Sequence, residues 1–363
     1  MKKHRPVNPF ADRLAAFAAK LRKRRIAAAI VQDEANQRGL VGFGCDNGRL
    51  CVSADGATPP MFYTDFRYIP AAKREAPWLI VRDIDCFEPK KAIRVWPRCF
   101  RLGYEGTLRT SRYLGLQKEF RRVDFVDVGE DLLLLRAVKT PTEIAKIASA
   151  AALNDRIWRE ARREMKHGMT EKDIQRIIRA WMNALGDGEA FETIVCAGAN
   201  AAECHHVPDG TVWRKGDPLL VDMGVKLDGY CSDMTRCLRG SKERLWNGAA
   251  QYDKIYGTVL SANRTAVAAV KPGITGKELD AAARRVIRKA GYGKFFGHAL
   301  GHGVGLEIHE QPVASKKSDV VLKPGMVVTI EPGIYLEGEL GVRIEDLVLV
   351  TRDGCEVLSA SPR

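Results

Sequence analysis

Residues 218–237 read P-L-L-V-D-M-G-V-K-L-D-G-Y-C-S-D-M-T-R-C: an apolar strand, a turn at Asp228-Gly229 and a returning strand. Asp-Gly between two such runs is a strong hairpin signal, because both central positions of the tight turn need positive φ. Asp222 and Asp233 lie equally far from position 227.5, which predicts cross-strand neighbours on one face, their Cβ atoms about 4.5–5.5 Å apart. Like charges so placed repel, so something positive is expected between them.

Residues 327–350, V-V-T-I-E-P-G-I-Y-L-E-G-E-L-G-V-R-I-E-D-L-V-L-V, repeat the device, with Glu331 and Glu345 symmetric about Gly338. Each acid interrupts an apolar strand. Glu331 lies 109 residues after Asp222, and Glu345 lies 112 after Asp233. A weaker repeat tracks this spacing: K-H-G-M-T-E-K-D-I at 166–174 matches K-P-G-I-T-G-K-E-L at 271–279, an offset of 105. In both copies a threonine (Thr170, Thr275) caps a helix and an acid at N3 (Asp173, Glu278) closes a capping box. Duplication explains both offsets.

Four carboxylates leaving apolar strands for one place would each cost several kcal/mol if unpaired. Two divalent cations offset that charge, and an oxygen-rich donor set suits Mn²⁺ or Co²⁺, with Zn²⁺ also accommodated. Arginine salt bridges are the alternative for any single acid. They do not explain two turn-symmetric pairs in duplicated halves.

Five of the seven histidines fall between 205 and 309. In G-H-A-L-G-H-G-V-G-L-E-I-H-E (297–310) the glycines disfavour a helix, and the glutamate of a zincin motif is missing. His302 is read as the nitrogen ligand of the second ion, and His309 as a hydrogen-bond donor to a developing oxyanion. His298 and His205 are read as lining the substrate site. His206 is expected to point away, and His4 and His167 to be solvated. Cys204 beside His205 is a thiol candidate on adjacency alone, although catalytic pairs form in space rather than in sequence. Neither a G-x-S-x-G elbow nor a phosphate loop is present.

The whole chain fits two domains, since 363 residues at about 150 per domain allow two. With 45% hydrophobic and 28% charged residues it is globular rather than disordered. No apolar run reaches the ~18 residues of a membrane span, and the basic start lacks the apolar core of a secretory signal. Nine scattered cysteines without C-x-x-C fit a reducing, cytoplasmic setting. The net charge of +13 is concentrated early: 27 Lys and Arg against 16 Asp and Glu in residues 1–140, and 31 against 29 in the rest. Arg22–Arg25 read as the solvated side of a helix, without a nucleic-acid-binding motif beside them. Strand candidates at 26–31, 50–53, 61–64, 78–81 and 123–126 alternate with helices, so residues 1–135 read as an α/β domain. In L-R-A-V-K-T-P-T-E, Thr140 as N-cap, Pro141 at N1 and Glu143 at N3 open a long helix, Pro141 to Lys166. A second domain, 136–363, follows.

Taken in order, V-D-M-G, C-S-D-M-T-R, G-H-G-V-G, T-I-E-P-G-I-Y and V-R-I-E-D resemble the metal-dependent M24 peptidases of the pita-bread fold, above all Xaa-Pro aminopeptidases and prolidases. F-Y-T-D-F-R-Y and N-Q-R-G-L-V-G-F-G resemble the creatinase/prolidase N-terminal domain. The resemblance implies an α/β N-terminal domain and an α+β pita-bread catalytic domain with an internal pseudo-twofold repeat. It implies metal ligands Asp222, Asp233, His302, Glu331 and Glu345, with Asp233 and Glu345 shared by two ions. His205, His298 and His309 would contact substrate or transition state, with Tyr335 and Arg343 supporting the substrate site. The implied reaction removes an N-terminal residue from a small peptide with proline second, Glu331 carrying a proton to the proline nitrogen. A homodimer without nucleic-acid or membrane partners is implied too. Cys204 stands where the family usually has proline. Val313 and Lys317 stand where some prolidases carry arginines for a dipeptide's carboxylate, which favours longer peptides. The competing expectations are an inactive pita-bread scaffold, a metal-free creatinase-like hydrolase, and an M24 aminopeptidase without proline preference.

Overall fold

A computed structural model describes residues 8–89, 100–239 and 249–363; His4 lies outside them. The chain divides into two units, Met1–Arg136 and Ala137–Arg363.

In the first unit, short apolar runs form strands β1 (Ala28–Val31), β2 (Arg49–Ser53), β3 (Met61–Thr64), β4 (Ile80–Asp83), β5 (Arg101–Tyr104) and β6 (Asp124–Asp127), ordered β4-β3-β2-β1-β5-β6. Strand alternation sends Ala29 and Val31 to one face, where Phe17 and Leu21 of the helix Ala11–Lys23 pack. Ala28 and Ile30 go to the other, against Leu116 of the helix Thr110–Glu119 and Phe120 just past its end. Strand β5 was not expected from the sequence because Gly103 breaks its apolar run. The glycine is there because a Cβ at 103 would sit 2.9 Å from that of Ala29 on the neighbouring strand. Arg22–Arg25 are exposed as expected, and Arg24 and Lys20 pair with Asp131.

The second unit opens with the predicted capping box: Glu143 N donates to Thr140 Oγ1 (3.3 Å) and Thr140 N to Glu143 Oε2 (2.8 Å). Its helix spans Pro141–Glu164, two residues shorter than expected, because Met165 turns extended and is buried with Trp158 and Ile174. The duplicated motifs fold alike. Thr170 and Thr275 each cap a helix, Glu171–Leu185 and Gly276–Lys289, with reciprocal bonds to Asp173 and Glu278. Both threonines also make isolated bridges, Thr170 to Val212 and Thr275 to Val321.

Between the copies run β7 (Ile194–Ala197), β8 (Leu219–Met223), β9 (Lys226–Leu227), β10 (Tyr230–Cys231) and β11 (Met234–Leu238). Their counterparts are β12 (Gly301–Gly303), β13 (Glu310–Ala314), β14 (Val327–Ile330), β15 (Gly333–Leu336), β16 (Leu340–Arg343), β17 (Asp346–Val350) and β18 (Cys355–Val357). The larger sheets are ordered β11-β8-β7 and β13-β12-β14-β17-β18, so β7-β8-β11 corresponds to β12-β14-β17. Helices cover one face of each sheet. Leu219, Val221 and Met223 pack on Ile157, Ile174 and Ile178; Val328, Val348 and Val350 pack on Leu279, Ala283 and Ile287. Alternation then turns Asp222 and Thr329 to the opposite faces. This is the duplicated pita-bread architecture. Among the described residues, no helix is long and apolar enough to cross a membrane.

Candidate metal centre

The two hairpins set their acids differently. In the second, Ile330 pairs with Asp346 and Gly333 with Arg343, one register centred on Gly338 (φ 71°), so Glu331 and Glu345 face each other as expected. In the first, the centre lies one position past the expected one, which shifts the partner of Asp222 by two residues. Asp228 (φ 50°) and Gly229 (φ 79°) both occupy the central turn positions, which centres the hairpin at 228.5. Leu227 pairs with Tyr230, and Asp222 therefore pairs with Thr235, not Asp233. Asp233, two residues before Thr235, is a diagonal neighbour of Asp222 on the same face.

Both acid pairs and His302 line one cavity of about 260 Å³, with His205, His298, His309, Cys204 and Arg343. Phe191, Ile194, Ile308 and Val313 form its apolar wall. Atoms of Asp233, His302 and Glu345 approach one another within 4.8 Å. Strand β12 reaches the cavity because Gly301 has no side chain; a Cβ there would lie 1.9 Å from the Thr329 carbonyl oxygen. His302 Nδ1 faces the Gly303 carbonyl (3.1 Å), which aims Nε2 at Glu331 Oε1 (3.3 Å) and Asp233 Oδ2 (3.6 Å).

The acids are incompletely satisfied. Asp222 Oδ2 accepts from Arg343 Nη2 (2.7 Å), but Oδ1 is buried without a partner. Glu345 Oε2 accepts from Thr235 Oγ1 (2.7 Å), and Glu331 Oε1 accepts from Thr329 Oγ1 (3.1 Å). Burial, reinforced by the neighbouring carboxylates, pushes Asp233 and Glu345 well above the usual carboxylate range, and burial raises Asp222 too. Burial also acts to raise Glu331, but the His302 hydrogen bond and charge, with His298 and Arg343, outweigh it and hold Glu331 low. A single guanidinium therefore does not neutralise the set. An orphaned buried oxygen beside carboxylates driven toward protonation fits an oxygen-rich cation site.

This electrostatic debt has a measurable consequence. Without cations, folded Asp222, Asp233 and Glu345 keep protons that the unfolded chain releases near pH 4. Stability is then full at low pH and falls as pH rises from there toward the folded pKa values. Chelated protein is expected to melt at least about 5 °C lower at pH 8 than at pH 5 relative to protein with divalent ions. Buried Glu105 in the first unit, pushed up to about 7, acts equally on both samples. A pH-independent difference would contradict the shifts.

The histidines and their neighbours sort by what they touch. His309 stacks edge-on against His302 at 4.4 Å, and burial together with His302 lowers its pKa, leaving a neutral ring. His298 is tied at both nitrogens, Nδ1 to the Ala299 carbonyl (2.7 Å) and Nε2 to the Tyr335 hydroxyl (2.9 Å). Tyr335, expected at substrate, is not among the residues lining the cavity; its hydroxyl lies behind His298 and accepts from Arg343 Nη1 (2.9 Å). Arg343 also donates to Thr235 Oγ1 (3.0 Å), so it braces Asp222, Tyr335 and Thr235 together. His167 is exposed and stacks on Trp213. Burial pushes the Cys204 thiol up, which removes it as a thiolate nucleophile.

Three contributors were not read from the sequence. Thr235 holds Glu345 and Arg343, Thr329 holds Glu331, and Arg236 donates to Asp346 Oδ1 (3.0 Å) and the Ser361 carbonyl (2.8 Å). Alternation along β11 and β14 was the available signal, since Thr235 is two residues from Asp233 and Thr329 two from Glu331. A second group, Glu171, His206 and Asp209, also has atoms within 4.8 Å. Glu171 there is already filled by donors: Ala197 N and Asn200 Nδ2 on Oε1, Asp209 N and His206 Nε2 on Oε2.

Comparison with known proteins gives the same grouping. Residues 145–352 match Metallopeptidase family M24, and residues 13–138 match the Creatinase/Prolidase N-terminal domain. A Xaa-Pro dipeptidase of Pyrococcus furiosus is 40% identical over 272 residues, 72% of this chain and 74% of its own length. A Xaa-Pro dipeptidase structure from Bacillus anthracis superposes with a TM-score of 0.88 at 32% identity, covering 98% of each chain. An X-Pro aminopeptidase structure from Thermotoga maritima gives 0.82 at 32% identity, over 94% of this chain and 98% of that one.

Proposed function

This chain belongs to Metallopeptidase family M24, and from that membership we propose that it removes the N-terminal residue from small peptides with proline in second place. The enzyme is a hydrolase dependent on divalent metal ions. The observation that carries the reading is the convergence of Asp222, Asp233, His302, Glu331 and Glu345 on one cavity with Asp222 Oδ1 unpartnered. Those five side chains would hold two ions, Mn²⁺ or Co²⁺ by their oxygen-rich donors. Ions bound there would acidify a water and polarise the scissile carbonyl.

The chain's own residues do the rest. Glu331, held ionised by His302, takes the proton of the attacking water at Oε2 and delivers it to the departing proline nitrogen. Neutral His309 donates a hydrogen bond to the carbonyl oxygen as negative charge grows on it. His205 and His298 border the peptide, and Tyr335 and Arg343 hold His298 and Asp222 from behind. Phe191, Ile194, Ile308 and Val313 offer an apolar wall to the first side chain and the pyrrolidine ring. The scissile bond is a tertiary amide without N–H, so a cavity that offers its nitrogen no acceptor loses nothing there. At about 260 Å³ the cavity suits a peptide end rather than a folded chain.

The test compares Xaa-Pro, Xaa-Pro-Xaa and Xaa-Ala-Xaa peptides with added Mn²⁺, Co²⁺ or Zn²⁺. Cleavage restricted to the proline peptides is expected. No cleavage of them under any metal ends the reading, and equal cleavage of the alanine peptide ends the proline preference.

A further inference from the structure

Glu171 is fully buried at the first position of its helix and receives four donors, which come from three places on one segment. Ala197 N (2.7 Å) and Asn200 Nδ2 (2.9 Å) mark the start of that segment, Asp209 N (3.0 Å) its end, and His206 Nε2 (2.7 Å) its middle. Residues 198–209 contain a short 3-10 turn, Gly198–Ala202, and no strand. Yet the segment carries Cys204 and His205 to the cavity wall. On the cavity side the Cys204 carbonyl accepts from Arg343 Nη1 (3.4 Å). His205 is therefore strung between an anchor facing the active cavity and one facing away from it.

We propose that Glu171 and His206 form a positioning pair that fixes the His205 imidazole in the cavity. This rests on the proposed role of His205 at substrate. His206 is buried, and its other nitrogen, Nδ1, lies 3.3 Å from the exposed Glu203 carboxylate. Burial opposes a charge on the ring, but Glu171 and Glu203 outweigh it and raise its pKa, while the Asp209 carboxylate is turned to the Thr211 amide. Residues 203–206 form a turn closed by His206 N donating to the Glu203 carbonyl (3.3 Å), with Cys204 and His205 at its central positions. A ring locked into Glu171 thus fixes the last residue of this turn, and with it the central position from which His205 reaches the cavity.

The test is a double-mutant cycle. His206→Phe keeps a ring and removes both nitrogens; it is expected to lower kcat/KM on an Xaa-Pro-Xaa peptide about tenfold, less than the ~100-fold a 1 Å misplacement can cost, because the Cys204 anchor to Arg343 remains. In a His205→Ala background the same change is expected to cost less than twofold. Glu171→Gln gives the same pattern and replaces His206→Phe should the latter melt below the assay temperature. A loss under threefold in the wild-type background, or one undiminished once His205 is alanine, overturns the pair. If the wild-type protein cleaves no proline peptide, the proposed function falls and amide exchange judges the pair alone. Exchange of the Cys204–Val207 amides is then expected to quicken at least tenfold in His206→Phe, and unchanged exchange overturns it.

Discussion

Treatment with EDTA is expected to lower cleavage of Xaa-Pro peptides by more than about a thousandfold, with Mn²⁺ or Co²⁺ restoring it. The size of the effect follows from what remains in the cavity. Without ions, Asp222, Asp233 and Glu345 are pushed toward protonation by burial and by one another. Glu331 can still accept a proton, but with no ion to acidify it water stays a weak nucleophile at neutral pH, and His302 and His298 are engaged toward Glu331 and Tyr335. Positioning and the oxyanion contact survive, so the loss is one of nucleophile strength and carbonyl polarisation. Activity that withstands exhaustive chelation would contradict a metal-dependent role for the acids and favour a creatinase-like reaction.

Glu331→Gln is the second large effect, about 10³-fold in kcat with the fold intact. Among the four acids, Glu331 alone is held below the usual value. The others are paired, crowded or orphaned. A glutamine keeps the Thr329 bond and the volume but neither accepts a proton at the required step nor balances His302. Because Glu331 is also a proposed ligand, metal content must accompany the kinetics. A variant that keeps its ions but loses turnover assigns the proton transfer; full turnover would refute it.

The difference between the two hairpins shows what sequence symmetry carries. Around Gly338 every observed pair shares one centre, so symmetric acids met as expected. Around Asp228-Gly229 the midpoint of the two acids, 227.5, is not the centre of the turn. Turn chemistry sets the centre instead: two positive-φ positions fix it at 228.5, and Asp222 meets Thr235. The shared face survived because a two-residue offset preserves strand parity. Helix starts at Thr140, Thr170 and Thr275 were legible because a capping box is local in sequence. What was not legible is long-range. Thr235 reaches Glu345 across 110 residues and Glu171 reaches His206 across 35, and no spacing rule within one element announces either. Strand β5 was hidden by Gly103, whose reason is the neighbouring strand rather than its own.

Calorimetric titration of metal-free protein with Mn²⁺ bears most directly on whether these acids share a cation site. Two ions per chain are expected, falling to one or none in Asp233→Asn, with protons released as the raised carboxyls ionise. Heat that fits no binding at millimolar Mn²⁺, Co²⁺ or Zn²⁺, in a protein whose melting curve is normal, would contradict it.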